Sequence, residues 1–351
     1  MRKRASFSFV ILLAVLLLPG ACGQKGNAAR YTVDLAAVVK GGMVRDFDLT
    51  QAYEFEHRLV IDEETQPFRS HAFSSMDEGS VLVHDDMTVA RVSLADGSIL
   101  ATYGRVGRGP MEYTRVRRCS FLDDTIYVRS NTKMIAFEQD GTAVREYRIK
   151  DFSENLVILP GGRRFRFYAA NFEHDVPLYD VIDEAGNVLR TSSVVSPSVG
   201  QTAIMYLNNA LEYDGAWYCL PRHTETIWKI SETEDIPWIE LNQGHYKMPP
   251  EYLSTLEGRY DVEGQFIWID DYALTGKYFY CRFTKGEKHF IVYDLERGKL
   301  LLHTTSRSLS EGGIPIEYDG ETTSLWPAFI DDHHIIFRGS APDDLWLFSR
   351  K

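Results

Sequence analysis

The sequence predicts an all-β fold, a six-bladed β-propeller of four-stranded antiparallel blades whose ring is closed by an N-terminal strand. Three observations predict it. A four-strand unit recurs six times, and a turn of Asp, Gly or Thr precedes the second strand of each unit. The last unit lacks a strand that the residues before the first unit can supply.

The second strands are the anchors. They read Val81–His84, Ile126–Arg129, Phe165–Tyr168, Trp217–Leu220, Tyr278–Cys281 and Ile335–Arg338, at steps of 45, 39, 52, 61 and 57 residues. Before them stand Asp77-Glu78-Gly79, Asp123-Asp124, Gly161-Gly162, Asp214-Gly215, Thr275-Gly276 and Asp331-Asp332. Such residues tolerate positive φ or bond their own backbone, so the chain reverses there at little cost. Third strands follow at Val89–Leu94, Met134–Glu138, Leu178–Ile182, Thr226–Ile230, His289–Leu295 and Leu345–Phe348. Several end in hairpin turns, as at Ala95-Asp96-Gly97, Gln139-Asp140-Gly141 and Glu296-Arg297-Gly298. One short helix is expected at Pro249–Glu257, where prolines suit a helix start.

The sixth unit stops at Lys351 without a fourth strand. Left alone, its third strand would be an unpaired edge, which natural sheets avoid. His57–Ile61 is a spare strand in the right place, so it is expected to pair with Leu345–Phe348.

The first residues set the compartment. Arg2, Lys3 and Arg4 precede the apolar run Phe9–Leu18 and then Pro19-Gly20-Ala21-Cys22, the pattern of a secretory signal too short to span a bilayer. The cysteine after small residues resembles the lipobox of bacterial lipoproteins, which implies cleavage after residue 21 and acylation of Cys22. Pro19 departs from that pattern, standing where the family usually has Leu. The expected organisation is a signal peptide (1–21), an anchored tether and extension (22–56) and the propeller (57–351). No acidic run follows Cys22 in Gly23–Asn27, so a lipid-anchored outer-membrane protein facing the periplasm is expected rather than a surface-exposed one. Losing residues 1–21 removes three bases and no acid, taking the net charge from −12 to −15. A chain this acidic is a poor fit for nucleic acid. Cys119, Cys219 and Cys281 remain, an odd number that allows at most one disulfide. No Cys/His cluster has zinc-ligand spacing, so no metal or cofactor is expected, and the chain is expected to be a monomer.

One connection is specific enough to suggest a family. Tyr103-Gly104-Arg105-Val106-Gly107-Arg108-Gly109-Pro110-Met111-Glu112-Tyr113, followed by Ile126-Tyr127-Val128, resembles an NHL-type repeat. It is more similar still to the six-bladed, TolB-like propeller lipoproteins of Gram-negative bacteria, whose first inter-blade connection reads GxGxGPGEY. The resemblance implies a propeller in the envelope and little chemistry. Met111 stands where that pattern has its last glycine, so a different backbone turn is expected there. A phosphate-loop role would need a helix N-terminus after the glycines, and a strand-rich segment follows instead. Gly104, Gly107, Gly109, Pro110, Glu112 and Tyr113 therefore read as a tight crossing between blades.

A basic residue recurs at or just past the second strand: His84, Arg129, Arg166, Arg222, Arg282 and Arg338. Equivalent blades would set these side chains around one face, an anion site on an acidic protein. The competing reading pairs each with a turn acid such as Asp85, Asp86, Asp123 or Asp271. Trp268 and Trp326 lie in what read as equivalent first strands and would either stack a sugar or pack the core. Glu212, Asp214, Asn208, Asn209 and Asp270 offer carboxylates and amides for a lactonase-like hydrolase or lyase at the channel, though no spacing singles them out. The favoured function is a binding scaffold for a protein, peptide or acidic glycan on one propeller face.

Because the closing strand lies before the first unit, deleting residues 1–62 should leave a chain that aggregates or fails to fold. A truncated chain that is soluble and melts cooperatively would refute the closure.

Overall fold

The computed structural model describes residues 28–61, 72–77, 79–149, 154–168, 175–196, 210–221, 224–249, 252, 262, 264–307, 312–318, 321–338 and 344–351. The expected helix at 249–257 lies outside the described residues apart from two positions, as do Cys22, Arg222, Asn208 and Asn209.

Six antiparallel sheets follow one another as blades. The inner and second strands of blade one are Ala72–Met76 and Ser80–His84, and those of blade two are Arg118–Leu122 and Thr125–Arg129. In blade three they are Glu154–Ile158 and Arg164–Tyr168, and in blade four Ala210–Tyr213 and Ala216–Cys219. Blade five has Trp268–Leu274 and Tyr278–Lys285, and blade six Pro327–Ile330 and His334–Arg338. In every blade the second strand falls on the anchor read from the sequence.

Alternation along these strands sends one set of side chains to the preceding blade and the other to the next. The core is accordingly divided into six clusters, one per blade interface. Val81 and Val83 pack on blade six beside Ile336 and Leu345, while Leu82 faces Cys119 of blade two. The interface between blades four and five is rich in aromatics, with Phe279, Phe283 and Tyr218 buried in it. That between blades two and three is small, holding Met134, Ile149, Leu156, Ile158 and Ile182.

The ring closes as the sequence predicts. Tyr53–Val60 pairs antiparallel with Asp344–Arg350, with Phe55 opposite Phe348 and Leu59 opposite Leu345. Leu59 and Ile61 then enter the cluster between blades six and one.

The residues before that strand are also built into the fold. Tyr31–Asp34 runs parallel to Asp235–Asn242, the fourth strand of blade four, and gives that sheet a fifth strand. Asp34 then caps the helix Leu35–Lys40, its Oδ1 accepting from the Ala37 N–H at 2.8 Å. Val44–Arg45 pairs with Lys299–Ser306, the fourth strand of blade five. Sequence reasoning missed both added strands, which are too short to show alternation. Cys119, Cys219 and Cys281 are buried free thiols. Among the described residues no helix is long and apolar enough to cross a membrane.

Two buried histidines fasten this extension to blade five. His303 Nδ1 lies 3.1 Å from the Gly42 carbonyl, and its Nε2 lies 3.0 Å from Nδ1 of His289. Burial holds both imidazoles below their ordinary 6.5, although the Glu287 carboxylate pulls each the other way. The unfolded chain therefore takes up protons first on acidification, and the stabilisation present above about pH 6.5 is lost as pH falls. His303→Gln, which keeps polar atoms but does not titrate, should lose less melting temperature than the parent between pH 7.5 and 5.5. Equal losses in thermal melts would show that the pair does not contribute.

Candidate functional site

Four of the basic residues read from the sequence hold one structural position. His84, Arg129, Arg282 and Arg338 end or follow the same stretch of their second strands, and each faces the next blade around the ring. The strand phase fixes that direction. Leu82, two residues before His84, packs on blade two, and Tyr127, two before Arg129, packs on blade three. Tyr280 before Arg282 packs on blade six, and Ile336 before Arg338 packs on blade one. The four lie on the face opposite the Asp- and Gly-rich turns, here termed the cation face.

Their surroundings differ. Arg338 sets its guanidinium 5.6 Å from the centre of the Phe73 ring of blade one, and burial lowers its pKa. Arg282 lies 3.9 Å from Asp271 of its own inner strand. Burial raises the Asp271 carboxyl against the pull of Arg282, and the Trp326 side chain bonds to it. Arg129 is only 4% exposed; burial and the Arg117 charge press it down to about 10, so it stays charged at neutral pH. His84 is held below its ordinary value by burial, and the Arg118 charge adds to that.

Arg118 is the residue that sequence reasoning missed. It opens the inner strand of blade two directly opposite Arg129 and donates from Nη1 to the Ala210 carbonyl of blade four at 3.0 Å. It therefore reaches past the inner strand of blade three. Burial lowers its pKa, and Glu212 on the inner strand of blade four pulls it back up. Burial conversely raises the Glu212 carboxyl. The available signal was hairpin arithmetic, since the turn at Asp123-Asp124 folds Arg118 onto Arg129. Arg118, Arg129, Tyr127, Leu156 and Trp217 line a crevice with room for about one water molecule.

Arg166 does not join this set. It sits opposite Leu156, which packs on blade two, so it faces backward round the ring. There it pairs with Asp180 of its own blade at 2.7 Å, and the same carboxylate accepts from the Tyr168 hydroxyl. Its place one position out of phase is the physical reason: a single step along a strand exchanges the two faces. Trp268 and Trp326 also prove inequivalent. Trp326 packs on Phe290 at 5.4 Å and meets Asp271, whereas Trp268 stands opposite Thr284, outward of the pairing between Asp271 and Arg282. Among the channel carboxylates proposed for catalysis, Asp270 is held by Lys288 and Thr284, and Asp214 lies in the turn on the opposite face at φ 48°. Among the described residues no three His, Cys, Asp or Glu side chains gather to hold a metal ion.

Comparison with known proteins agrees with this architecture. A family model described as a six-bladed beta-propeller, DUF5128, matches residues 76–317. The chain belongs to that family. No curated protein matches it. Among solved structures it is similar to a protein of Bacteroides fragilis provisionally described as exported, with 12% identity and a TM-score of 0.63 over 88% of this chain and 97% of the other. It is also similar to a DUF4221 family member from Bacteroides vulgatus, with 12% identity and a TM-score of 0.53 over 85% and 97%. At these identities the likeness is one of fold.

The glycine-rich connection lies within the matched DUF5128 residues and on the cation face. Its amides enclose a carboxylate of the chain itself: Glu112 accepts from the Gly109 N–H at 2.8 Å and from Arg105 Nε at 2.7 Å. A Cβ on Gly107 would come within 2.0 Å of that carboxylate. The anion place of the loop is thus filled from within, as a blade crossing requires and a phosphate loop does not. Tyr113 is buried beneath, its hydroxyl donating to the Tyr103 carbonyl at 3.0 Å. Met111 adopts a left-handed backbone with φ 57°, a conformation glycine takes readily, and its N–H donates to Glu146 at 2.9 Å.

A non-glycine residue in that region costs about 1 kcal/mol. Met111→Gly should therefore leave stability unchanged or raise it by up to about 1 kcal/mol. Gly104→Ala should lower it by about 2 kcal/mol or more, because its Cβ would lie 2.8 Å from the Tyr113 ring at φ 70°. Chemical denaturation of both variants checks the pair, and equal effects would contradict the assigned backbone.

Proposed function

We propose that this protein is an envelope lipoprotein, acylated at Cys22 and held on the periplasmic side of the outer membrane, whose cation face binds an acidic ligand. The ligand class is a carboxylate-bearing glycan, peptide or protein segment. The observation that carries the reading is Arg338. Its guanidinium is drawn out of water against Phe73, and among the described residues no carboxylate meets it. A desolvated guanidinium without an anion is a costly arrangement that an incoming carboxylate relieves. Arg282 and Arg129 repeat the position around the ring, which suits a ligand carrying several charges. The exported description of the Bacteroides fragilis neighbour supports the compartment. The basic start, short apolar run and Cys22 support the anchor.

Titration calorimetry with oligogalacturonate and with an acidic peptide, each against its neutral counterpart, tests this. Binding of the acidic probe should weaken with salt and fall about tenfold in Arg338→Gln, with the melting temperature of the free protein unchanged or raised. Equal affinity for the neutral counterpart, or an unaffected Arg338→Gln, refutes an anion-binding face.

A further inference from the structure

The strand that enters the fold first also fixes which face can meet the membrane. In blade four, Asp235–Asn242 runs from the Ser231–Glu234 turn on the turn face up to the cation face. Tyr31–Asp34 is parallel to it, with Tyr31 opposite Ile239 and Asp34 opposite Asn242. Followed backward from Asp34, the chain therefore descends toward the turn face. Arg30 keeps that course, its guanidinium 4.7 Å from the centre of the Trp238 ring.

Blade four is about 23 Å high along this strand, from the rise of its residues. Five residues separate Ala28 from Cys22, and the six steps between them span at most about 20 Å of chain. We infer that the anchor draws the turn face against the bilayer and holds the cation face away from it. This inference rests on the acylation of Cys22 proposed above.

The ligand class narrows accordingly. The cation face cannot read the anionic headgroups of the membrane that carries it and is open to acidic molecules arriving from the aqueous side. Its partner is then a soluble or wall-side polyanion. The extension that sets this orientation is held independently of the anchor, by Val33 and Leu35 in the core and by His303 on Gly42.

The test places one fluorophore on each face of the lipidated full-length chain. Thr233→Cys labels the turn face and His245→Cys labels the cation face, both at exposed residues; the three native thiols are buried. Energy transfer to an acceptor lipid in the vesicles is then compared. Transfer from position 233 should exceed that from 245 severalfold, given the steep dependence on distance. Equal transfer, or more from 245, overturns the orientation while leaving the anchor intact. Vesicle association is measured alongside in Cys22→Ser. If that variant binds vesicles as the parent does, the lipid anchor is refuted and the inference falls with it; loss of association supports the anchor, and the transfer comparison alone decides the orientation.

Discussion

The fold depends on the pairing of Tyr53–Val60 with Asp344–Arg350. Each blade buries its two faces only against its neighbours, so an open ring would leave two half-cores wet. The closing strand supplies Leu59 and Ile61 to the cluster between blades six and one, so it contributes both backbone pairing and apolar area. Its hydrogen bonds also remove the edge that the C-terminal strand would otherwise present.

Given a closed ring, the placement of charge follows from strand phase. Residues two apart share a blade face, and the last of them reaches the cation face where the packed core ends. Leu82 and His84, Tyr127 and Arg129, Tyr280 and Arg282, and Ile336 and Arg338 are four such pairs. Each puts an apolar side chain in the interface and an arginine or histidine above it. The interfaces on either side of blade three complete the contrast. Toward blade four, the side chain of Asp235 is fully buried and accepts from the Tyr179 hydroxyl, Arg190, Ser192 and the Ser193 amide. Toward blade two the apolar cluster is thin, and Arg164 fills the space by lying 5.3 Å from the Tyr147 ring centre. Polar contacts thus cross both interfaces, beside a large apolar cluster on one side and a small one on the other.

Much of this was legible because strands separated by tight turns leave a strong signature. Every second strand and the closing strand could be placed from alternation and from turn residues such as Asp123 and Gly161. The site was less legible. Arg166 looked like a rim residue, yet which neighbour it faces depends on a one-residue phase that composition does not carry. Arg118 drew no reading from the sequence, because only pairing across the hairpin sets it opposite Arg129. The added strands Tyr31–Asp34 and Val44–Arg45 were invisible because their signal lies in the partner's edge rather than in their own few residues. At Met111 the sequence suggested a changed turn, and the backbone there is left-handed, with the Met111 N–H donating to a Glu146 carboxylate that Lys133 also bonds.

The closing pair also has a consequence in time. Tyr53 is made before any of the six blades, and Arg350, its partner, only after five of them. A chain synthesised or threaded from its N-terminus can form hairpins and single blades as it emerges, because those contacts are local. It cannot form the ring. Cooperative folding waits for Asp344–Arg350, so until that strand has arrived the molecule stays a row of incomplete sheets, open to passage through a narrow pore and exposed to misassembly.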